Sequence, residues 1–449
     1  MKKMAFCIIV FLTMGKTLWG QQVSLTVYNQ NRALVREQRM LSFKKGTSII
    51  SFTDVAARID PTSVHFKSLT APDKLTIQEQ NYEYDLVNAQ KIMQKYIDEN
   101  IRLIMEKGEV FDGKLLNASG SDIVIQDDEG RIKIVRKEGV QHFDFPNLPE
   151  GLITRPTLMW LVSNRGPETH KTEVSYLTVG VNWHAEYVGV VDQDDKHMEM
   201  GGWVSLENSS GTTYKDAKLK LVAGDVHMVS TRPKADRGMR RDVLKAEAAP
   251  QFEEKAFFEY HLYTLQRKTT LKDNQTKQIS LFSPAKSKTE KRFRYDGARY
   301  GKKVRVHLEF KNSKKEGLGL PLPKGKIRVY KEDVDGALEF VGEDLMEHTP
   351  VDEKVSIFLG NAFDLVGERN QLSSKKISSR SREETFRISL RNHKEDAVEI
   401  LVVEHFYGDW EIIKRSHDFI KKDASTAEFH IKVPAGEEVI LNYAVLLRY

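Results

Sequence analysis

Apolar and polar residues alternate along most of the chain, as in β-strands that bury one face. In residues 202–226, a first alternating strand ends at Asn208, a polar turn follows, and a second strand covers residues 218–222. We predict a β-hairpin here. The same strand, closed by an asparagine, recurs as VHLEFKN and FRISLRN. We therefore expect Asn208, Asn312 and Asn392 to lie at strand ends, where the side chain bonds the backbone of a turn.

One segment departs from the period of two. Between residues 87 and 101, apolar side chains recur at helical spacing, which predicts a helix whose apolar stripe packs on a sheet. Short strands separated by tight turns follow, up to residue 146. A helix followed by such strands predicts a small SH3-like or Sm-like barrel.

The fold class that this pattern predicts is mainly β, with several antiparallel β-sandwiches and the small barrel module preceded by one helix. A length of 449 residues allows about three domains. The predicted divisions are a signal peptide at 1–20, an N-terminal β domain at 21–86, the helix and small barrel at 87–146, a β-sandwich segment at 147–230, a mobile linker at 231–256, a β-sandwich segment at 257–372 and a C-terminal β-sandwich at 373–449.

The start of the chain has the composition of a secretory signal peptide. Lys2 and Lys3 precede a short apolar run at 5–14, and we expect cleavage after Gly20. The run is too short to span a bilayer, and no other segment is apolar for long enough to do so as a helix. The single cysteine, Cys7, lies in this leader, so no disulfide or thiolate metal site is expected in the mature chain. We expect an exported protein, in the periplasm or at the cell surface.

Charge is abundant and nearly balanced, with 69 basic against 64 acidic residues and a formal net charge of +5. This balance favours solubility and, together with export, argues against a nucleic-acid partner. Residues 286–303 stand out, because this stretch contains eight cations and three aromatic residues but only two carboxylates. The candidate ligand-binding residues are Lys291, Arg292, Phe293, Arg294, Tyr295, Arg299 and Tyr300.

Two interpretations of this basic and aromatic stretch stay open. It could bind an anionic envelope polymer, lipid head groups or another envelope protein, since clustered cations and rings suit such partners. Alternatively, it is a strand edge whose charge guards against aggregation. The residues support the second interpretation at least as well as the first.

No familiar catalytic or cofactor motif occurs. The chain lacks HExxH, GxSxG, a Walker loop and GxGxxG, so we predict neither a cofactor nor a metal. The aspartates at 192–195 lack the glycine and glutamate of a calcium loop, and we expect a solvated turn. Glu79, Glu83 and Asp85 form the nearest carboxylate cluster, for which we favour a structural role.

Several strings together resemble a known family. They include TVYNQNRALVREQR, GLITRPTLMWLV, SYLTVGVNWHAEYV, EYHLYTLQRKTTLKDNQTKQISL, LPLPKGKIRVYKED and VPAGEEVILNYAV. The chain resembles exported bacterial proteins with the domain of unknown function 4139, a group related to mucoidy inhibitor A-like proteins. The resemblance covers essentially the whole mature chain and implies a β-rich secreted protein, without an assigned reaction or catalytic residues.

The expected function is a non-enzymatic binding or scaffolding module of the cell envelope. One alternative is an envelope hydrolase that acts on glycan or peptide, with carboxylates assembled between domains. A second is an outer-membrane-associated β protein, because residues 441–449 alternate up to a final aromatic. The strands are short and rich in Lys, Glu and Arg, which favours the closing strand of a sandwich instead.

Overall fold

A computed structural model describes residues 21–84, 87–149, 152–224, 251–257 and 260–449. The chain is mainly β, as predicted, and its strands form mostly antiparallel, sandwich-like layers with three parallel strand pairs. The predicted signal peptide at 1–20 and most of the predicted linker at 231–256 lie outside the described residues.

Among the described residues up to 224 there are fifteen strands. They are β1 (Gln22–Tyr28), β2 (Arg32–Ser42), β3 (Gly46–Thr53), β4 (His65–Ser68), β5 (Leu75–Glu83), β6 (Asn100–Met105), β7 (Val110–Asn117), β8 (Asp122–Gln126), β9 (Ile132–Arg136), β10 (Val140–Asp144), β11 (Thr157–Asn164), β12 (Thr169–Val179), β13 (Val181–Val191), β14 (His197–Asn208) and β15 (Tyr214–Ala223). The first helix, α1 (Ala89–Lys95), lies between β5 and β6.

The later strands follow residue 251. They are β16 (Phe252–Phe257), β17 (Tyr260–Leu265), β18 (Thr269–Leu271), β19 (Gln275–Tyr295), β20 (Lys303–Lys311), β21 (Gly325–Glu332), β22 (Leu338–Met346), β23 (Lys354–Ser378), β24 (Ser381–Asn392), β25 (Val398–His405), β26 (Asp409–Arg415), β27 (Ile420–Lys421), β28 (Thr426–Val433) and β29 (Glu438–Arg448). A four-residue helix, α2 (Gly297–Tyr300), links β19 to β20. Single 3-10 turns occur at Pro61–Ser63, Pro72–Lys74, Lys137–Gly139 and Lys314–Glu316.

The first core lies between three sheets. One has eight strands in the order β16-β17-β15-β1-β2-β12-β4, with β18 beside β15, and another has the order β3-β11-β5. The third is the beginning of a thirteen-stranded sheet that contains β13 and β14. Strict alternation explains the packing, since β13 buries every second residue from Val181 to Val191. Trp160 and Trp183 are among the largest side chains in this core.

The hairpin predicted for residues 202–226 does not form. β14 pairs with β13 and β19, whereas β15 pairs with β1, β17 and β18 in the opposite sheet. The turn after Asn208 therefore crosses from one layer of the sandwich to the other. Alternation correctly predicted both strands, but it carries no information about which neighbour each strand bonds.

The predicted segments 21–86 and 147–230 share this first core. β2 pairs with β12 along eleven residues, and β11 lies between β3 and β5. The strands of the two segments therefore close one sandwich together, and residues 87–146 are inserted between them.

The inserted module consists of α1 and five strands in the order β10-β6-β7-β8-β9. Tyr96 and Ile92, at the end of α1, pack on the apolar face of this sheet with Leu103, Leu115 and Ile125. The helix and its packing were predicted. The barrel does not close, because the two edge strands, β9 and β10, do not pair with each other. Both edge strands have only five residues, and Phe143 and Phe145 pack against the core beside α1.

The end of the predicted linker is wrong in one respect. Residues 252–256 belong to β16, which pairs antiparallel with β17 at the edge of the eight-stranded sheet. Glu253, Glu254 and Lys255 are exposed there. Mixed charge suits a sheet edge as well as a linker, so composition alone did not separate the two.

A second core is built by the C-terminal strands. Phe386, Tyr443 and Phe429 stack in its centre, between β24-β29-β26 and β25-β28-β27. β19, β20 and β23 extend from the first core into this one. The predicted boundary between 257–372 and 373–449 falls inside β23, so this strand belongs to both segments.

Each core holds one buried carboxylate with an arginine and a tyrosine. In the first core, Glu37 accepts hydrogen bonds from Arg39 and, at 3.1 Å, from the hydroxyl of Tyr176. In the second, Glu404 accepts from Arg369 at 2.9 Å and from the hydroxyl of Tyr443. Burial raises the pKa of both tyrosines, so the hydroxyls stay protonated donors.

Buried asparagines hold the ends of four strands. Each donates from Nδ2 to carbonyl oxygens of two chain segments and accepts a backbone N–H at Oδ1, and the prediction for Asn208, Asn312 and Asn392 is confirmed. Asn164, at the end of β11, repeats the arrangement with the carbonyls of Phe43 and Pro167. The side chain thus ties its own loop to a neighbouring one.

We predict that Asn392→Ala lowers the free energy of unfolding by about 2–3 kcal/mol, because buried carbonyls and an N–H lose their partner. Asn392→Asp should cost more, since a carboxylate would face carbonyl oxygens. Asn442→Ala, at an exposed position of β29, is the matched control and should change stability by less than about 0.5 kcal/mol. Urea unfolding measures all three, and equal effects at both positions would contradict the assignment.

Candidate anion-binding site

The seven predicted ligand-binding residues lie on two consecutive elements. Residues 291–295 form the end of β19, and Arg299 and Tyr300 form the end of α2. Side chains alternate across β19, so the first five point to opposite faces of the sheet. The structure does not bring all seven together.

One face of this part of β19 is turned towards the second core. Tyr295 is completely buried there, and Phe293 packs against the core. Gly297 and Gly367 make room for the ring, since a Cβ atom would lie 2.5 Å from the hydroxyl at the first and 2.1 Å from the ring at the second. Burial raises the pKa of Tyr295 to about 12. Both aromatic residues therefore serve packing.

Three of the predicted cations are neutralised by carboxylates. The pairs are Lys291 with Asp195, Arg292 with Glu290 at 2.7 Å and Glu399 at 3.4 Å, and Arg299 with Asp296 at 3.7 Å. Asp296 is buried and also lies 3.1 Å from His405. These cations tie β19 to its surroundings and present little free charge.

Arg294 differs from these three. Its cross-strand neighbour on β20 is Arg305, so two guanidinium groups lie on the same face of adjacent strands. Within the part of the chain that the structure describes, neither side chain has a carboxylate partner. Like charges directly opposite each other destabilise a sheet. A bound anion would remove this repulsion.

Two aromatic rings hold Arg305 in place. Its guanidinium carbon lies 4.4 Å from the ring centroid of Tyr300 and 3.8 Å from that of Phe358. Contacts of this kind are worth about 0.5–2 kcal/mol. They fix the side chain without occupying its N–H groups as a carboxylate would, so the donors stay available.

His307 follows on the same face of β20. Its Nδ1 lies 3.3 Å from the hydroxyl of Ser356, its ring is 5.5 Å from that of Phe358, and Nε2 is buried without a hydrogen-bond partner. Five residues at this face are hereafter the Arg294 surface: Arg294, Tyr300, Arg305, His307 and Phe358. Arg292, the cross-strand partner of His307, lies on the same face but is paired with Glu290 and Glu399.

The electrostatics of this surface act on His307. Burial, followed by the positive charges of Arg305 and Arg294, lowers the pKa of His307, while Glu309 and Asp344 act in the opposite direction with smaller effects. The imidazole therefore stays neutral at pH values just below 6.5, its ordinary pKa. Positive charge on the surface comes from the two arginines.

A pocket of about 420 Å³ lies farther along β19 and β20, next to the 3-10 turn at Lys314–Glu316. Its lining carries both signs of charge, since Lys354 pairs with Glu309 and Oε2 of Glu316 is buried without a partner. The lining residues are Lys288, Thr289, Glu290, Glu309, Phe310, Lys311, Glu316 and Lys354. With three lysines and three glutamates, the pocket does not continue the cationic surface.

The other sequence candidates have structural explanations. Asp192 and Asp195 lie in the turn between β13 and β14, where Asp192 accepts the N–H of Lys196 at 2.9 Å. Glu79 and Glu83 are exposed on β5, and Asp85 lies outside the described residues. No group of three or more His, Asp or Glu side chains in the described ranges is arranged to hold a metal ion.

Arg305, His307 and Phe358 were not among the predicted site residues. A signal existed for the first two, because β19 and β20 are joined only by the short α2 and the following turn. A hairpin register across that turn pairs position 294 with position 305. Phe358 comes from β23, and no local pattern predicts its arrival.

No protein-family model matches the chain, and comparison with curated proteins also finds no match. Among the residues that the structure describes, no helix is both long and apolar enough to cross a bilayer.

We predict that His307 makes the fold more sensitive to acid. Its pKa is lowered in the folded protein, so below pH 6.5 the unfolded chain binds a proton that the folded chain rejects, and stability falls as the pH decreases. His307→Asn should reduce the loss of Tm between about pH 7.5 and about pH 5.5. His393→Asn, at an exposed position, is the control. An unchanged loss in His307→Asn would contradict the assignment.

Proposed function

We propose that the protein is an exported, non-enzymatic binding module of the cell envelope, and that it holds an anionic polymer on the Arg294 surface. The observation that carries this proposal is the cross-strand pair Arg294 and Arg305, which lacks a carboxylate while nearby cations have one. Arginine recognises carboxylate and phosphate groups through paired N–H donors.

The shape of the surface supports a polymer over a small ligand. Arg294, Arg305 and His307 lie on neighbouring strands of one sheet face, and Phe358 extends that face onto β23. Such a face offers a row of contact points, and each of them alone contributes little affinity because it is exposed to solvent. A chain with regularly spaced anionic groups gains affinity by engaging several contacts together.

Export and the family are part of the same proposal. The basic, apolar and glycine-ended leader at 1–20 supports secretion. The resemblance to exported proteins with the domain of unknown function 4139 supports placement in the envelope and, since it implies no reaction, a binding role.

We predict that polygalacturonate binds the purified protein and neutral dextran does not. Affinity should fall as salt rises from about 50 mM to about 300 mM, because the contacts are ionic. The double variant Arg294→Gln/Arg305→Gln should bind at least about tenfold more weakly, since two charge-assisted contacts are lost. Isothermal titration calorimetry measures the affinities.

The matched control is Arg102→Gln/Arg131→Gln. It also removes two positive charges, from exposed ion pairs of the inserted module. Equal losses in both double variants would mean that net charge alone attracts the polymer, and no binding by the parent protein would refute the proposal. Shortening of the polymer during incubation, seen by size-exclusion chromatography, would favour the hydrolase alternative.

A further inference from the structure

Three chain segments meet at one end of the second core. Ser381, at the start of β24, is the cross-strand partner of Arg448 in β29, which in turn pairs with Asp409 at the start of β26. The N–H of Tyr449 donates to the carbonyl of Arg380 at 2.9 Å. The β23–β24 turn, the end of β29 and the loop before β26 therefore form a single tip.

The loop before β26 is packed closely onto this tip. Gly408 has φ +74°, and a Cβ atom there would lie 2.6 Å from the carbonyl oxygen of Arg448 and 4.0 Å from the ring of Tyr449. Only glycine accepts both the left-handed backbone and this approach. The loop is thereby held in a conformation that leaves its preceding residue, Tyr407, facing outwards.

The tip exposes apolar side chains next to a well-filled core. Tyr407 is 84% exposed, Tyr449 67% and Ile377 51%, whereas Phe406 and Trp410, on either side of the loop, are buried. The exposed ring of Tyr407 therefore lies in sequence between the buried rings of Phe406 and Trp410. Three exposed apolar side chains on one tip offer a contact surface for an apolar partner.

Charges of both signs lie near these apolar side chains, and Glu383 is the cross-strand partner of Lys375, but the cations at the end of the hairpin are not ion-paired within the described part of the chain. Lys375, Lys376 and Arg380 lie at the end of the β23–β24 hairpin, and none forms an ion pair with another residue that the structure describes. Arg448, in contrast, is paired with Asp409 and Glu411, each at 2.9 Å. The unpaired cations therefore belong to the outermost part of the tip.

We infer that this tip, formed by Lys375, Lys376, Ile377, Arg380, Tyr407 and Tyr449, docks on the surface of an anionic lipid bilayer. Tyrosine is favoured at the boundary between head groups and acyl chains, because its ring is apolar and its hydroxyl is polar. Lysine and arginine near a bilayer are attracted to anionic lipids. The tip combines both features, and charge complementarity selects an anionic bilayer over a neutral one.

The test is co-sedimentation of the full purified chain with vesicles. Binding is expected to vesicles of phosphatidylcholine with about 30% phosphatidylglycerol, and it should be much weaker to phosphatidylcholine alone. Lys375→Gln/Lys376→Gln should reduce the partition coefficient roughly tenfold. Tyr407→Ser/Ile377→Ser should reduce it by a similar factor, and it should also abolish the binding that persists at high salt.

Two controls separate this docking surface from general stickiness and from the Arg294 surface. Phe363→Ser removes an apolar side chain that is 96% exposed elsewhere on β23, and it should leave binding unchanged. Arg294→Gln/Arg305→Gln should still bind vesicles even though it loses the polymer. Thermal unfolding of each variant verifies that the fold is retained.

Several results would overturn the inference. They are absence of binding to the anionic vesicles, equal binding to both vesicle types, and full binding by the Tyr407→Ser/Ile377→Ser variant. A dimer in light scattering that this variant dissociates would also overturn it, because the tip would then contact a second copy of the chain.

Discussion

Continuity of three strands across two hydrophobic cores is the constraint on which the rest of the structure depends. β19 supplies Ile279 and Phe282 to the first core and Tyr295 to the second, and β23 does the same with Ile357 and Leu365. Side chains alternate, so a strand that buries one face in each core must present its other face outwards along its length. The Arg294 surface occupies that outer face where the strands pass from one core to the other.

The buried carboxylates Glu37 and Glu404 and the strand-end asparagines follow a common rule, which the Arg294 surface breaks. Glu37 and Glu404 are each paired with an arginine and a tyrosine, and the asparagines that hold strand ends have partners for both side-chain atoms. Removing one partner from either buried carboxylate costs about 3–5 kcal/mol, so these two arrangements tolerate little change. Arg294 and Arg305 contrast with them, because their donors have no acceptor among the residues that the structure describes. A functional site is where such an exception is expected.

Local pattern predicted the strands well and their neighbours poorly. The alternation in VHLEFKN and FRISLRN was enough to place Asn312 and Asn392 at strand ends, and LMWLVSN, which ends in Asn164, could have been read the same way. Pairing was another matter. β14 and β15 are neighbours in sequence but lie in opposite layers, because the choice of partner depends on contacts that are distant in sequence.

The same limit applied to the candidate site. Clustered charge drew attention to residues 286–303, and Arg294 belongs to the surface that the structure assembles. Charge in a sequence does not reveal which cations meet carboxylates, however. Lys291 meets Asp195 from the β13–β14 turn, and Arg292 meets Glu399 from β25 in addition to its near neighbour Glu290.

The position at which residues 87–146 are attached to the first core allows the module to be inserted or deleted as a unit. β5 and β11 are hydrogen-bonded neighbours, and Glu83 is the cross-strand partner of Thr157. The two points of attachment are thus separated by about 5 Å, the spacing of paired residues in an antiparallel sheet. A tight turn could bridge that gap. The module can therefore be inserted into the host sandwich, or deleted from it, without a change to the strands of either sheet.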